Sequence, residues 1–459
     1  MNVKFPENYV VYHLHDDTSN VNGFADSCSN FKEYIKLAKK QGMKAIAFSN
    51  HGGIYDWIKK KQECDKAGIK YIHGIELYLC EKLSDDDRGG HIGLYAKNWD
   101  GVLELNTLIS ESFKKGKLDD NSDRHFYYNP RISLEELMNT SNNVIVTTAC
   151  LASPLNKWDV QEKKESFKTL IKWLMKNKHR CFLEIQYHND INQIAFNKKL
   201  YLYSQKTGIP LIAGTDTHSS SNYKAECRKI LQIYKKSFYG DEDAFDLTWK
   251  TLEELIVAFR EQDALPEEVY LKAIEETNVF ADMIEDFTLD KAFKYPTLYG
   301  DNVREQWQKF IFDNFMDKIK KNMLKLPSKI KLQCEDFFKT YSDKENKETD
   351  ELFKEIYENY KTEYKWACSH TDKEIIEEYK KRIAEEFKVM CKLGMESFMM
   401  FMSELVSWAK NNNIPCGTGR GSVCGSMIAF ITNITDVDPM VWNTVFSRFC
   451  NEDRISLGD

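Results

Sequence analysis

Short apolar runs and amphipathic stretches alternate through the first half of the chain. Strand-like runs fall at Lys44–Ser49, Tyr71–Leu79, His91–Ala96, Val144–Cys150, Cys181–His188 and Pro210–Asp216. Helical patterns stand between or beside several of them, at Phe31–Lys40, Tyr55–Lys66, Lys163–Lys176 and Asn192–Gln205. Alternation of this kind predicts an α/β fold built on a parallel sheet or a β/α barrel. In such folds the chemistry gathers at the C-terminal ends of the strands, which tells us where to look for it.

From about residue 285 the pattern changes. Phe293–Asn302 has the proline, glycine and asparagine of a connector, and long charged helical patterns follow. Asp372–Leu393 places Ile375, Tyr379, Ile383, Phe387 and Met390 at helical spacing, the apolar face of a packed amphipathic helix. Asp343–Glu348 reads as a solvated charged loop. The expected division is 1–285 and 286–459, the latter with a helical stretch over 300–410 and a chemically distinct segment over 416–459.

Composition narrows the class. With 42% hydrophobic and 13% aromatic residues, the 459-residue chain can build several cores. No apolar run approaches the roughly 20 residues of a membrane span, and the N-terminus lacks the layout of a signal peptide. The expected location is the cytoplasm. The net charge of −7 excludes a uniformly basic nucleic-acid coat but not local basic grooves. Twelve cysteines without CxxC pairing argue for reduced thiols rather than a disulfide framework or a zinc finger.

Nine of the ten histidines precede residue 219, and they come with acids and a thiol at successive strand ends. HLHDD supplies His13, His15, Asp16 and Asp17; Asp26 follows; then come His51, Glu76, His91, Cys150, and the pair Asp216 and His218. Alternate residues on an extended strand point the same way, so His15 with Asp17, and Asp216 with His218, can converge on one ion. Imidazole, carboxylate and thiolate together suit Zn²⁺, Mn²⁺ or Fe²⁺ better than Mg²⁺ or Ca²⁺. A bridging acid such as Glu76 suits a cluster of ions. A lone HxH or DxH pair would say little; the ordered set is the signal.

Taken together these residues resemble the PHP (polymerase and histidinol phosphatase) domain. The resemblance puts metal ligation on His15, Asp17, Asp26, His51, Glu76, His91, Cys150, Asp216 and His218. Asp17 stands where histidine is usual, Asn50 before His51 where aspartate is common, and Asp26 needs a two-residue shift in spacing. Every ligand position keeps a metal-competent side chain, which favours a metallated site over an inert scaffold.

The segment from Cys416 onward carries a second chemistry. Gly417-Thr-Gly-Arg-Gly-Ser422 and Gly425-Ser426 let backbone amides approach an anion, Arg420 adds a charged fork, and Ser422 and Ser426 add hydroxyls, the makings of a triphosphate cradle. No lysine follows the glycines, so this is not a P-loop. Ser426–Ile431 reads as a short apolar helix, and Asp436 and Asp438 before Pro439 read as turn-capping acids. Arg448, Arg454 and Asp459 complete the segment. It closely resembles the start of the palm domain of bacterial or phage replicative DNA polymerases of the C family, the DNA polymerase III alpha subunits, in which PHP is the opening domain.

That resemblance implies a PHP-type distorted β/α barrel, then a mostly helical segment and the start of an α+β palm. It implies nucleotide contacts by Gly419, Arg420, Gly421, Ser422, Arg448 and Arg454, and Asp459 as the first catalytic aspartate, with Gly458 where proline is usual. The implied cofactors are a Zn²⁺/Mn²⁺/Fe²⁺ cluster in PHP and Mg²⁺ at a completed polymerase site. The implied reactions are template-directed nucleotidyl transfer and 3′–5′ exonuclease proofreading. Implied partners are primer–template DNA, dNTPs, a second polypeptide carrying the remaining palm, fingers and thumb, the sliding clamp and other replisome subunits. The chain reads as an N-terminal portion, inactive in polymerisation alone. A non-catalytic assembly subunit and a PHP phosphoesterase acting on small phosphate esters are the alternatives.

Overall fold

In the computed structural model the described residues are 5–23, 25–116, 123–160, 163–237, 245–290, 298–341 and 351–451. The chain divides into two compact units, Met1–Leu289 and Asp290–Asp459.

The first unit contains eight strands: β1 (Ala45–Phe48), β2 (Lys70–Cys80), β3 (Gly90–Ala96), β4 (Phe126–Tyr127), β5 (Asn129–Ser133), β6 (Val144–Thr147), β7 (Cys181–Gln186) and β8 (Leu211–Gly214). β1 pairs with β2 in parallel, β3 lies antiparallel between β2 and β6, and β6–β7 and β7–β8 are parallel. The extended segment before β1 closes the ring. On one side Ala47 and Ser49 amides donate to the Val11 and Leu14 carbonyls; on the other, His15 N donates to Thr217 O (2.8 Å) and Thr217 N to His13 O. The result is a distorted β/α barrel of seven staves. β5, with β4 as its hairpin partner, adds to the far end of the long β2 outside the ring.

Strand alternation sorts the core into two shells. Val10 and Tyr12, Ala45 and Ala47, Ile72, Tyr95, Ile145, Phe182 and Ile212 contribute one or two residues per stave to an inner cluster, which Phe280, Ala281 and Ile284 plug. The alternate residues, among them Ile46, Phe48, Leu77, Leu94, Val146 and Leu183, pack outward against the helices. Helix Phe31–Lys40 turns Phe31, Tyr34, Ile35 and Ala38 onto that shell, and Asn30 caps it by accepting from Lys32 N. Helix Ile191–Thr207 begins on the Asp190 carboxylate and ends at Gly208.

The reversed β3 departs from a purely parallel reading. Its pairing sets Tyr78 opposite His91 and Glu76 opposite Gly93. The N-terminal end of β3 therefore lies on the rim that collects the C-terminal ends of the parallel strands, which is why His91 stands at the start of its strand.

The second unit is helical across its described residues. Helices span Val303–Lys320, Pro327–Tyr341, Glu351–Ser369, Asp372–Lys392, Glu396–Asn411 and Met427–Ile431. Trp307, Met390, Met399, Ile428 and Phe449 form one core cluster, and Phe315, Leu324, Ile375, Tyr379 and Phe430 another. The run Asp343–Glu348 lies outside the described residues.

Candidate metal centre and glycine-rich loop

Inward-facing positions, followed up each stave from the inner cluster, lead to the rim. β2 runs Ile72, Gly74, Glu76; β3 runs Tyr95, Gly93, His91; β8 runs Ile212, Gly214, Asp216, His218. On the first stave a bend at His13 shifts the alternation. Tyr12 faces the interior and Leu14 the outer shell, so His13 and His15 both turn into the ring. Before Cys150 the left-handed Ala149 (φ 55°) does the same for β6, and Asp216 itself is left-handed (φ 44°).

Three overlapping groups of ligand atoms result, each within 4.8 Å of one another: His15, Asp26, His51 and His218; His13, His15 and Asp216; and His51, Glu76 and His91. His15 and His51 are each shared. Glu76 is central, its oxygens 3.5 Å from His13 Nε2, 3.5 Å from His15 Nε2, 2.9 Å from His51 Nδ1 and 3.1 Å from His91 Nδ1. Asp26 lies 3.1 Å from His218 Nε2 and 3.6 Å from His51 Nε2. Cys150 Sγ lies 3.3 Å from His91 Nδ1.

Burial opposes charge at these groups, and the neighbours decide the outcome. Glu76 is driven well below the usual carboxylate range against its burial by His91, His51 and His13. Asp26 is likewise driven down by His218 and His51. His51 is raised to about 9 against its burial by Asp26 and Glu76. His13 is raised by Asp216, Glu184 and Glu76, again against its burial. His15, buried and flanked by His218 and His51, falls to about 4. Both Glu76 oxygens, His13 Nε2, His15 Nε2 and Asp26 Oδ2 are buried without a hydrogen bond. Buried polar atoms left this way are costly unless an ion completes them. The donor set of nitrogens, carboxylates and a thiol fits a cluster of borderline divalent metals.

Eight of the nine sequence-predicted ligands meet here. Asp17 does not. The extended stave ends at His15 and the chain enters a 3₁₀ turn, Asp17–Gly23, so two-residue alternation stops applying. Asp17 accepts from Asn30 Nδ2 (3.1 Å), and its carboxyl is pushed up by burial. His13 takes its place.

Behind the rim, Asp16 is fully buried against Lys60 Nζ at 2.7 Å. Asn50 donates to Asp16 Oδ1 (2.9 Å) and Thr18 Oγ1 and accepts from Asp16 N. Asparagine at position 50 both donates and accepts, which aspartate cannot do. Lys60 carried no sequence signal beyond its place in a helix.

In the second unit Gly421 is left-handed (φ 62°), and Gly425 lies where a Cβ would come within 2.6 Å of Val445 O. Gly419 and Arg420 lead into a cleft of about 400 Å³ lined by Gly421, Ser422, Gly425, Thr444 and Arg448. Arg420 and Arg448 are exposed. Ser426, expected to face an anion, instead caps helix Met427–Ile431 by accepting from Ala429 N and donates to Glu386 Oε2 at 2.8 Å. Glu386, fully buried, also accepts from Met427 N (2.9 Å) and Ile428 N (3.1 Å) and pairs with Arg382 Nε at 2.7 Å. The negative charge this helix end attracts comes from the protein itself, leaving the loop amides and the two arginines to meet a ligand. Asp438 accepts from Tyr379 Oη and, as the expected turn cap, from Met440 N, whereas Asp436 pairs with the distant Lys410. Arg454 and Asp459 lie outside the described residues.

Comparison with known families places both constellations. Residues 12–188 match the PHP domain, and residues 350–459 match the bacterial DNA polymerase III alpha NTPase domain. The two matches follow one another along the chain in that order. Relatives named DNA polymerase III subunit alpha align along its whole length. That of Borreliella burgdorferi is 29% identical over 474 residues, covering 100% of this chain and 35% of the relative. Those of Helicobacter pylori and Aquifex aeolicus are each 27% identical, covering 99% of this chain and 35% and 36% of the relative. The chain thus spans about a third of the length of these relatives. No helix among the described residues is long and apolar enough to cross a membrane.

Proposed function

We propose that this chain is the N-terminal portion of a replicative DNA polymerase acting in the cytoplasm, with a metal-dependent phosphodiesterase centre in its PHP domain. The observation that carries the second part is the set of three ligand groups interlocked through His15 and His51, with buried nitrogens and oxygens left without hydrogen bonds. When bound there, zinc, manganese or iron ions supply Lewis acidity and activate water for phosphodiester hydrolysis. His13, His15, Asp26, His51, Glu76, His91, Cys150, Asp216 and His218 would hold them. The substrate that fits a polymerase context is the 3′ end of a DNA strand.

The glycine-rich loop, Arg420 and Arg448 bind the phosphates of an incoming nucleotide, with Arg454 and Asp459 completing the site and Mg²⁺ serving as its cofactor. Template-directed extension then requires the remaining palm, fingers and thumb, carried by a second polypeptide. Primer–template DNA, dNTPs, the clamp and other replisome subunits are the partners.

Elemental analysis of the purified chain tests the centre. Two or three equivalents of zinc, manganese or iron are expected, lost in a His51→Ala, Asp216→Ala double variant, together with a metal-dependent 3′–5′ exonuclease activity that the same variant lacks. Absence of bound metal after reconstitution would leave the PHP domain a scaffold.

A further inference from the structure

Glu184 is the inward residue of β7 above Phe182, one layer below the rim. It is fully buried. An ionised carboxylate in such a place costs several kcal/mol unless partners compensate it. Its Oε1 lies 2.5 Å from His13 Nδ1 and accepts from Gln186 Nε2 at 2.9 Å. It belongs to none of the three ligand groups. His13 Nε2, on the other side of the ring, lies 3.1 Å from Asp216 Oδ1 and 3.5 Å from Glu76 Oε1. The imidazole is thus held from behind at one nitrogen and presented to the centre by the other.

The neighbouring stave makes room for this arrangement. Gly214, the inward residue of β8 two positions before Asp216, has an ordinary φ, yet a Cβ there would overlap the Glu184 carboxylate. The glycine is required by the acid rather than by a turn.

We propose that Glu184 is the positioning residue of the metal centre. It accepts the Nδ1 proton of His13, fixes the ring's tautomer and orientation, and leaves the Nε2 lone pair for an ion shared with His15 and Asp216. A carboxylate behind a ligating imidazole raises its basicity and is worth about 10–100-fold in metal affinity. This inference rests on the reading that the centre holds metal.

The test is chelator competition on the full chain with cobalt(II), followed by visible absorption, for wild type, Glu184→Gln and Gly214→Ala. The wild type is expected to bind its full complement. E184Q should reach the same stoichiometry at saturation, with one equivalent weakened about 10–100-fold and its absorption band altered. The other equivalents and the metal-free melting temperature should be kept, and G214A should weaken the same equivalent. Equal affinity in wild type and E184Q would remove the role of Glu184 while leaving the metal centre standing. Uniform weakening of every equivalent together with a lower metal-free melting temperature would make Glu184 a structural residue only. A wild type that binds no cobalt would overturn the metal reading itself and this inference with it.

Discussion

His13 and Asp17 show how far single residues can be read from sequence. Two-residue alternation brings Asp216 and His218 to one rim but into different ligand groups, because β8 ends at Gly214 and Asp216 is left-handed. It misassigns Asp17, because the first stave gives way to a 3₁₀ turn there, and a change of backbone geometry within two residues leaves no hydrophobic signature. His13→Ala should therefore lose metal while Asp17→Ala keeps it, as elemental analysis of the two variants will show. Lys60 was invisible for another reason: a lysine in a helix is ordinarily solvated, and only the assembled barrel reveals its pairing with Asp16. Replacing it by methionine strands a buried carboxylate. Lys60→Met is expected to destabilise the first unit by about 3–5 kcal/mol in urea titration.

Elements were more legible than residues. The sequence pattern matches helix Phe31–Lys40 to the residue and Lys164–Lys176 to within one, since an amphipathic helix shows its period in its apolar spacing. β4 and β5 carry no such signal, because Phe126–Tyr127 is two residues long and Asn129–Ser133 is polar and holds Pro130 where the other short strands are continuous apolar runs. The reversal of β3 was also hidden, since strand direction is set by pairing and not by composition. Helix Met427–Ile431 depends on Glu386, forty residues away, for its N-terminal bonds. Glu386→Ala would leave two buried amides without acceptors, at about 1–3 kcal/mol each, and should lower the second unit's stability while leaving the first unit's metal binding unchanged.

β2 carries a titratable liability. His73, buried between Tyr71 Oη and Asn106 Oδ1, is depressed from 6.5 to about 4 by burial. Between those values the unfolded chain binds a proton that the folded chain refuses, so stability falls as pH is lowered from about 6.5 to about 4, by about 3 kcal/mol for this group. His73→Gln should flatten the pH dependence of unfolding across that window.

At the scale of the molecule, two units with separate cores carry separate chemistry. The change from strand–helix alternation to long charged helices falls at about residue 285 in the sequence, and the compact units divide between Leu289 and Asp290. What pattern could not convey was closure: nothing in Tyr9–His15 announces that it is the stave joining β1 to β8. Ligands that bind only the folded state stabilise it by mass action. Removing metal with a chelator should lower the thermal transition of the first unit and leave that of the second unmoved in calorimetry, by about 3 kcal/mol if the ion had been present at 100 times its dissociation constant.

The stave that closes the ring also bears His13 and His15, and its neighbour β8 is some two hundred residues downstream. Tyr9 Oη reaches the Lys250 carbonyl, and Val10 N reaches Thr277 Oγ1. Contacts so distant along the chain are slow to form, because the intervening loop must first be closed. During synthesis this stave is made, and can pair with β1, well before its other neighbour exists. Until β8 emerges the nascent barrel has an open seam, with unpaired backbone groups along its edge. Nor can the second ligand group exist before then, since it needs Asp216. The proposed metal centre would thus be a mark of finished folding, its ligands gathered only when the two ends of the barrel meet.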